Sequence, residues 1–393
     1  NLVNCQDCFG CVNLRGKKYH IFNKPYSKEE YEEEIKKFDI GSYKETQDLL
    51  KKVQDFWLQF PNRYYEGVQN VDVSGEYIYG SKNVKDTYQA VGAEDCKYCQ
   101  YINHPPTKDC YDHSVFGERA TLSYECAMLG DGAYNTKFSI HCWSEIKNLE
   151  YCQWCLSSSD LFGCSGLRKK QYCILNKQYT EEEYKDLIPR IKKHMDEMPY
   201  IDSKGRVYGY GEFFPIDLAP FGYNETIAQE HFSLTKEEVL ENGFKWKDII
   251  KSEHKGTIQA SELPDHIDEV NDDILKETIN CSHEGECAHG CTIAFKILPR
   301  ELEFYKRFNL PLPRLCVACR HRERLKKRNT MQLYSRKCQC NGKASENTRY
   351  TNISNSHPDH AVGEHCPNEF KTSYAPDRPE IVYCVSCYQN EVA

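Results

Sequence analysis

Residues 162–184 read FGCSGLRKKQYCILNKQYTEEEY, and residues 9–31 read FGCVNLRGKKYHIFNKPYSKEEY. The two stretches align without a gap at an offset of 153, pairing Cys11 with Cys164, Arg15 with Arg168, Tyr19 with Tyr172 and Asn23-Lys24 with Asn176-Lys177. Internal duplication points to a stacked architecture, in which one supersecondary unit buries its apolar face against the next. Each copy ends in a capping box, Ser27-x-x-Glu30 and Thr180-x-x-Glu183. There the hydroxyl accepts from a backbone amide and the carboxylate reaches back. Helices are therefore expected to start near residues 28 and 181. Tyr31, Ile35 and Phe38 fall on one face of the first, and Tyr184, Ile188, Ile191 and Met195 on one face of the second. A further helix is expected over about residues 45–60, with Leu49, Leu50, Val53, Phe56, Trp57 and Phe60 as its apolar stripe.

Between the copies the rhythm changes. Short segments centred on Tyr88, Tyr98, Tyr111, Tyr124, Phe138, Tyr151 and Phe162 recur roughly every dozen residues, flanked by Asn, Asp, Gly or Ser. Short strands at regular spacing suggest a parallel β-helix or similar solenoid, with an antiparallel sandwich as the alternative. Small Cys side chains suit an inward ladder. The FGCxxLRxKxYxIxNK stretch would close the stack, and the helix after it would cover the exposed edge. The pairs Cys5/Cys8, Cys96/Cys99 and Cys152/Cys155 lie far apart and lack a βαβ redox context, so they read as inward positions of a tight turn.

The chain carries 22 cysteines, twelve between Cys5 and Cys173, ten between Cys281 and Cys387, and none between. A disulfide framework typifies small secreted domains, so this long chain reads as reduced and cytoplasmic. Its 51 basic and 59 acidic residues give a net charge of −8, which selects no partner class. No run of 18 apolar residues is present, so no membrane span is expected. The opening Asn1-Leu2-Val3-Asn4-Cys5 lies inside a repeat, and the sequence reads as a fragment. Residues 200–280 read as a connector. GRVYGYGEFFP suggests a strand or turn against the solenoid, Thr235-x-x-Glu238 caps a helix stopped at Asn242-Gly243, and Asp265–Thr278 suggests another helix. Asp217, Glu230 and His231 are read as loop polar groups.

The carboxy-terminal cysteines form close pairs. Cys287-x₃-Cys291 and Cys316-x₂-Cys319 can converge as two knuckles around one tetrahedral ion, with Cys281, His283 or His289 as a substitute for Cys287. A second set is Cys340, Cys366, Cys384 and Cys387, with Cys338 as rival for the first place and His360 and His365 as further possibilities. Thiolates are soft ligands that favour Zn²⁺ or an iron–sulfur cluster, and a filled thiolate set is structural rather than catalytic. Two structural zinc ions are expected.

At these residues the sequence resembles a known family. CxxxF, then ExxFY, then PxRxCxxCR over residues 287–320 resembles the small bacterial family described as a probable zinc-ribbon domain. The tail NEFKTSYAPDRPEIVYCVSCY and the solenoid caps are similar to uncharacterised Cys-rich solenoid and zinc-ribbon proteins of uncultured bacteria, some labelled as class III CoA-transferases (CaiB/BaiF). The resemblance implies fold and zinc. It supplies no activity, and no α/β nucleotide-type core precedes a candidate aspartate nucleophile.

The expected fold is mainly β with α, with Cys-rich β-solenoid modules capped by helices and followed by two small zinc ribbons. The boundaries are residues 1–40 (end of a truncated module with its cap helix), 41–198 (second module), 199–280 (connector), 281–330 (first ribbon) and 331–393 (second ribbon). The expected function is a non-enzymatic zinc-binding scaffold with a protein partner. The main rival is nucleic-acid binding. From Arg314 to Lys337 nine basic residues face one acid, Glu323, and Arg314, Arg320, Arg322, Arg324, Lys326, Lys327 and Arg328 would contact phosphate, with Tyr334 available for stacking. A third possibility is carbohydrate chemistry on a β-helix, but Glu118, Asp131 and Glu145 show no spacing that demands it.

Overall fold

The computed structural model describes residues 1–248, 256–285, 290–354 and 357–392. Regular structure is mainly β, with eight helices among the described residues. Its centre is a twelve-stranded sheet whose neighbours follow chain order. From Val71–Tyr79 to Gln171–Ile174 the paired strands run parallel, which removes the antiparallel sandwich. Register advances through Tyr111, Tyr124, Lys137, Glu150 and Phe162, each paired with the next.

Two local features set this ladder. Left-handed residues recur at every third position, as in Asn148, Tyr151, Trp154, Ser157, Asp160 and Gly163. Asn, Asp and Gly tolerate that conformation best, and they supply three of these six corners. The residue after each corner is buried: Leu149, Cys152, Cys155, Ser158, Leu161 and Cys164. The inward thiols and hydroxyls of this stretch donate to the carbonyl two residues back, as in Cys152 to Glu150 (3.3 Å), Ser158 to Leu156 (2.8 Å) and Cys164 to Phe162 (3.4 Å). An interior this narrow needs small side chains that also carry a donor, which explains why Cys, Ser and Thr alternate with Leu and Ile. The spaced pairs Cys96/Cys99 and Cys152/Cys155 occupy successive buried positions, and no disulfide is formed among the described residues.

The two copies close in the same way. Asn176 holds the backbone N–H and C=O of Ser165 through its side-chain amide (2.9 Å each), as Asn23 holds Val12 (2.9 Å each). A short antiparallel strand then turns back, Lys177–Gln178 on Gln171–Ile174 and Lys24–Pro25 on Lys18–Ile21. Both capping boxes form, starting helices Lys28–Ile35 and Glu181–Glu197. Tyr19–Tyr31 and Tyr172–Tyr184 pack alike, their rings tilted by 54° with centroids 5.7 and 5.8 Å apart. The third expected helix spans Tyr43–Trp57 behind an Ser42 cap.

Residues 200–214 pack on the ladder as expected, with Tyr210 and Phe214 against Tyr151. The helix Lys236–Glu241 has its Thr235 capping box. Asp265–Thr278 is not a helix. It forms two 3₁₀ turns, Ile267–Glu269 and Asp272–Leu275, separated by extended Val270 and restarted by the Asn271 side chain. Extension at Val270 lets Ile267, Val270 and Ile274 all enter one apolar cluster with Ile297, Leu302 and Leu312.

The carboxy-terminal segment returns to the ladder's start. Ile381–Tyr383 pairs in parallel with Pro61–Arg63, and Phe60 packs against Cys-rich residues there. At this junction Glu76 is buried and accepts from the Glu66 amide (2.7 Å) and the Ser373 hydroxyl (2.5 Å). Burial outweighs both bonds and pushes its carboxyl up to about 7.

Two outcomes test this description. Cys126, buried and bonded to the Tyr124 carbonyl (3.2 Å), should tolerate serine within about 1 kcal/mol, whereas Cys126→Leu should destabilise by about 1–3 kcal/mol through overpacking. Urea unfolding of both variants measures this, and equal stabilities would contradict it. Between about pH 4.5 and 7 folded Glu76 keeps a proton that the unfolded chain has released, so its contribution falls as pH rises, by roughly 3 kcal/mol in full. Glu76→Gln should therefore gain stability relative to the parent across that window and plateau above it. A pH-independent difference in denaturation midpoint would contradict the assignment.

Candidate metal centres

Two Cys-x₂-Cys knuckles stand at helix N-termini. Cys316 immediately precedes helix Val317–Leu325, and Cys384 immediately precedes helix Val385–Val392. The second cysteine of each, Cys319 and Cys387, lies in the first turn. Unpaired amides and the positive end of the helix dipole favour thiolate there. The Cys387 amide, for example, points at the Cys384 sulfur (3.4 Å).

The first knuckle is met by Cys281, just after strand Ile279–Asn280, and by Cys291. The ligand atoms of Cys281, Cys291, Cys316 and Cys319 lie within 4.8 Å of one another. Cys281 thus stands with Cys291, Cys316 and Cys319. The expected ligand Cys287 and its substitute His289 lie outside the described residues. His283 is not part of the group. Backbone amides reach two of these sulfurs, Cys316 to Cys281 (3.3 Å) and Ile293 to Cys291 (3.4 Å).

The second knuckle is met by two groups. Cys338, Cys366, Cys384 and Cys387, all buried, converge within 4.8 Å. The structure places Cys338, rather than Cys340, with these three. Cys340 faces the other way and joins His357, His360 and the same Cys387 in a third set within 4.8 Å. His360, weighed from the sequence, is therefore part of a cluster. His365 turns to the Cys366 carbonyl (2.9 Å) and is half-exposed. His357 was not anticipated. The signal available in the sequence was its spacing, His357-x₂-His360, which mirrors the cysteine knuckles.

The donor chemistry fits a soft divalent ion. A tetrahedron with metal–sulfur bonds of about 2.3 Å has sulfur–sulfur edges of about 3.8 Å. Cys291–Cys316 and Cys366–Cys384 measure 3.8 and 3.9 Å. Crowding also separates the thiols by acidity. Burial works to raise Cys316, but hydrogen bonds from Thr292 and the Cys319 amide outweigh it and bring it down to about 6. The neighbouring Cys387 thiol brings Cys340 down to about 5 against the opposing effect of burial, with the Gly342 amide, Asn352 and His357 assisting. Contacts with Cys338 and Cys387 hold Cys384 low, while Cys387, surrounded by Cys338, Cys340 and Cys384, is pushed up. Such splitting among packed thiols is what a shared cation would relieve.

The basic segment is divided. Arg314 is buried, donating to the Pro264 carbonyl (2.8 Å) and lying over the Tyr43 ring. Arg320 is held by Tyr305 (2.9 Å) and Glu301 (3.5 Å), and Arg336 is tied to Ala375 and Gln339. Arg324, Lys326, Lys327 and Arg328 are exposed, and half-buried Arg322 reaches Ser233. Of the acids considered for catalysis, Asp131 and Glu145 both pair with Arg119, at 2.7 and 2.9 Å.

Single serine substitutions separate the candidate ligands of the first set. Cys281→Ser should lower the metal content by one ion per chain, and Cys287→Ser should leave it unchanged, as read by elemental analysis of the purified variants. The reverse pattern would contradict the grouping around Cys281. Neither a protein-family profile nor a curated protein matches the chain, so what it can do rests on its own residues, whose three Cys/His clusters could hold metal ions.

Proposed function

We propose that this chain is a non-enzymatic, zinc-binding scaffold, in which a rigid parallel β-solenoid carries a carboxy-terminal interaction module held together by zinc. The observation that carries the reading is the pair of filled four-thiolate sets. Four sulfurs leave no coordination position for substrate, which is the mark of structural rather than catalytic zinc. Zinc is favoured over harder cations because the donors are thiolates, and twelve cysteines clustered away from any metal set suit a reducing, cytoplasmic setting. Among the described residues, no helix is long and apolar enough to cross a membrane.

Several features support the solenoid. Strands Thr107–Phe116 and Ala120–Leu129 are parallel neighbours joined by only Gly117, Glu118 and Arg119, where an ordinary parallel crossover needs a dozen residues or more. Winding of the chain about the ladder axis satisfies that connection, with left-handed corners every third residue. A stiff ladder with exposed aromatics such as Tyr98, Tyr111 and Tyr124 offers a long surface for a protein partner.

Nucleic-acid binding is the second reading, favoured by the exposed Arg324, Lys326, Lys327 and Arg328 beside the first thiolate set. It is weakened by the inward use of Arg314 and Arg320 and by acids on the same flank, including Glu230, which pairs with His321 (3.0 Å).

Zinc should co-purify with the chain, and its removal by a strong chelator should unfold residues 281–392 while the ladder's far-ultraviolet signal persists. Metal analysis with circular dichroism and limited proteolysis measures both. A metal-free chain with an intact, protease-resistant carboxy-terminal region would overturn the proposal. Reversing Arg324, Lys326 and Lys327 to Glu should leave capture of a protein partner unchanged. Loss of that capture together with a steep salt dependence would favour the nucleic-acid reading.

A further inference from the structure

Cys387 belongs to two ligand sets at once. It closes the four-thiolate group with Cys338, Cys366 and Cys384, and it closes a second group with Cys340, His357 and His360. We infer that the carboxy-terminal module holds a dinuclear centre, in which the Cys387 thiolate bridges two divalent ions. The inference rests on the proposed zinc reading and adds to it a third ion and a shared ligand.

The second set is prepared for a metal beyond mere proximity. The His360 Nε2 faces the Cys387 sulfur at 3.3 Å, while its Nδ1 lies 3.1 Å from the Ala361 carbonyl. A carbonyl can only accept, so Nδ1 carries the proton and Nε2 presents its lone pair to the cluster. His357 is arranged with the opposite nitrogen. Its Nδ1 faces Cys340 (3.9 Å), and its Nε2 lies 3.4 Å from the Asn352 side-chain amide and 3.8 Å from the Glu391 carboxylate, with the His357 and Glu391 side chains fully buried. A carboxylate beside the distal nitrogen is the kind of partner that supports a metal-bound histidine.

Glu391 is itself pinned, accepting from the Ile353 and Ser354 amides and the Tyr350 hydroxyl. Asn352 supports the same corner, donating to the Cys340 sulfur at 3.1 Å. The pull of these groups is toward an ion between Cys340, His357, His360 and Cys387, not toward the first thiolate set.

Charge points the same way. One dication among Cys338, Cys366, Cys384 and Cys387 leaves a formal −2, with the Cys340 thiol beside it. A second dication with Cys340 deprotonated brings five thiolates and two ions to −1. A bridging thiolate is suited to this because sulfur has lone pairs for both ions, and the centre forms by loss of thiol protons alone.

Two measurements on the full chain decide the matter. Native mass spectrometry of protein loaded with zinc should show three ions per chain, falling to two in His360→Ala and in His357→Ala. Replacement with cadmium-113 should give three resonances, two of them split by coupling to each other through the shared sulfur. The second readout uses the unaltered sequence, so it does not depend on a variant folding. Two ions per chain, unchanged by either histidine substitution, would overturn the bridge and leave the zinc reading standing. Three uncoupled resonances would also overturn it. A chain that takes up no metal would remove the zinc reading and the bridge together.

Discussion

Thiolates buried within 4.8 Å of one another repel, and without a cation they must share protons or move apart. That constraint governs more than the metal sets. Tyr383, paired with Arg63 at the start of the ladder, is followed directly by Cys384, which in turn leads into the last helix. The Tyr388 hydroxyl in that helix bonds Asn13 (2.9 Å), and Ser373 bonds Glu76. Strand pairing, helix docking and both buried junctions therefore hang on the position of one knuckle. Binding free energies of structural zinc, about 10–16 kcal/mol in small peptides near neutral pH, are as large as the stability of a whole domain.

The ladder solves a different problem with the same residue type. Its interior is too narrow for a conventional apolar core, and a corner after every second residue leaves carbonyls in need of donors. Cysteine fills both needs, being small, apolar and a weak donor. Serine and threonine throughout would supply the donors at a loss of apolar burial. The protein thus uses sulfur as filler in one half and gathers it into clusters that could hold metal in the other, and the difference is geometric. In the ladder thiols point at carbonyls, as Cys126 does at Tyr124 and Thr136, whereas in the carboxy-terminal half they point at each other.

Much of this was legible in residues alone. The offset between residues 9–31 and 162–184 carried through to matching Asn23 and Asn176 clamps, because both copies keep the side chain that makes the bond. Capping boxes placed three helix starts, since that motif is local. The knuckles Cys316/Cys319 and Cys384/Cys387 were visible for the same reason. Cys291 and Cys366 were legible as their partners, but the choice of Cys281 over Cys287 and of Cys338 over Cys340 was not, because spacing cannot say which way a chain turns. Cys338-x-Cys340 lies just past strand Tyr334–Lys337, beyond the regular pleat that would put both side chains on one face, and its two sulfurs join different sets. His357 lies in a polar stretch where nothing in composition separates a ligand from a solvated loop. The helix expected over Asp265–Thr278 failed because apolar packing at Val270 overrode local propensity.

The most direct test of the account is X-ray absorption at the zinc edge on protein purified without chelator. The account predicts zinc with a first shell dominated by sulfur at about 2.3 Å and a minor nitrogen contribution at about 2.0 Å. A shell of oxygen and nitrogen without sulfur would place any zinc elsewhere on the surface, and with it would fall the claim that thiolate-bound metal holds the carboxy-terminal half together.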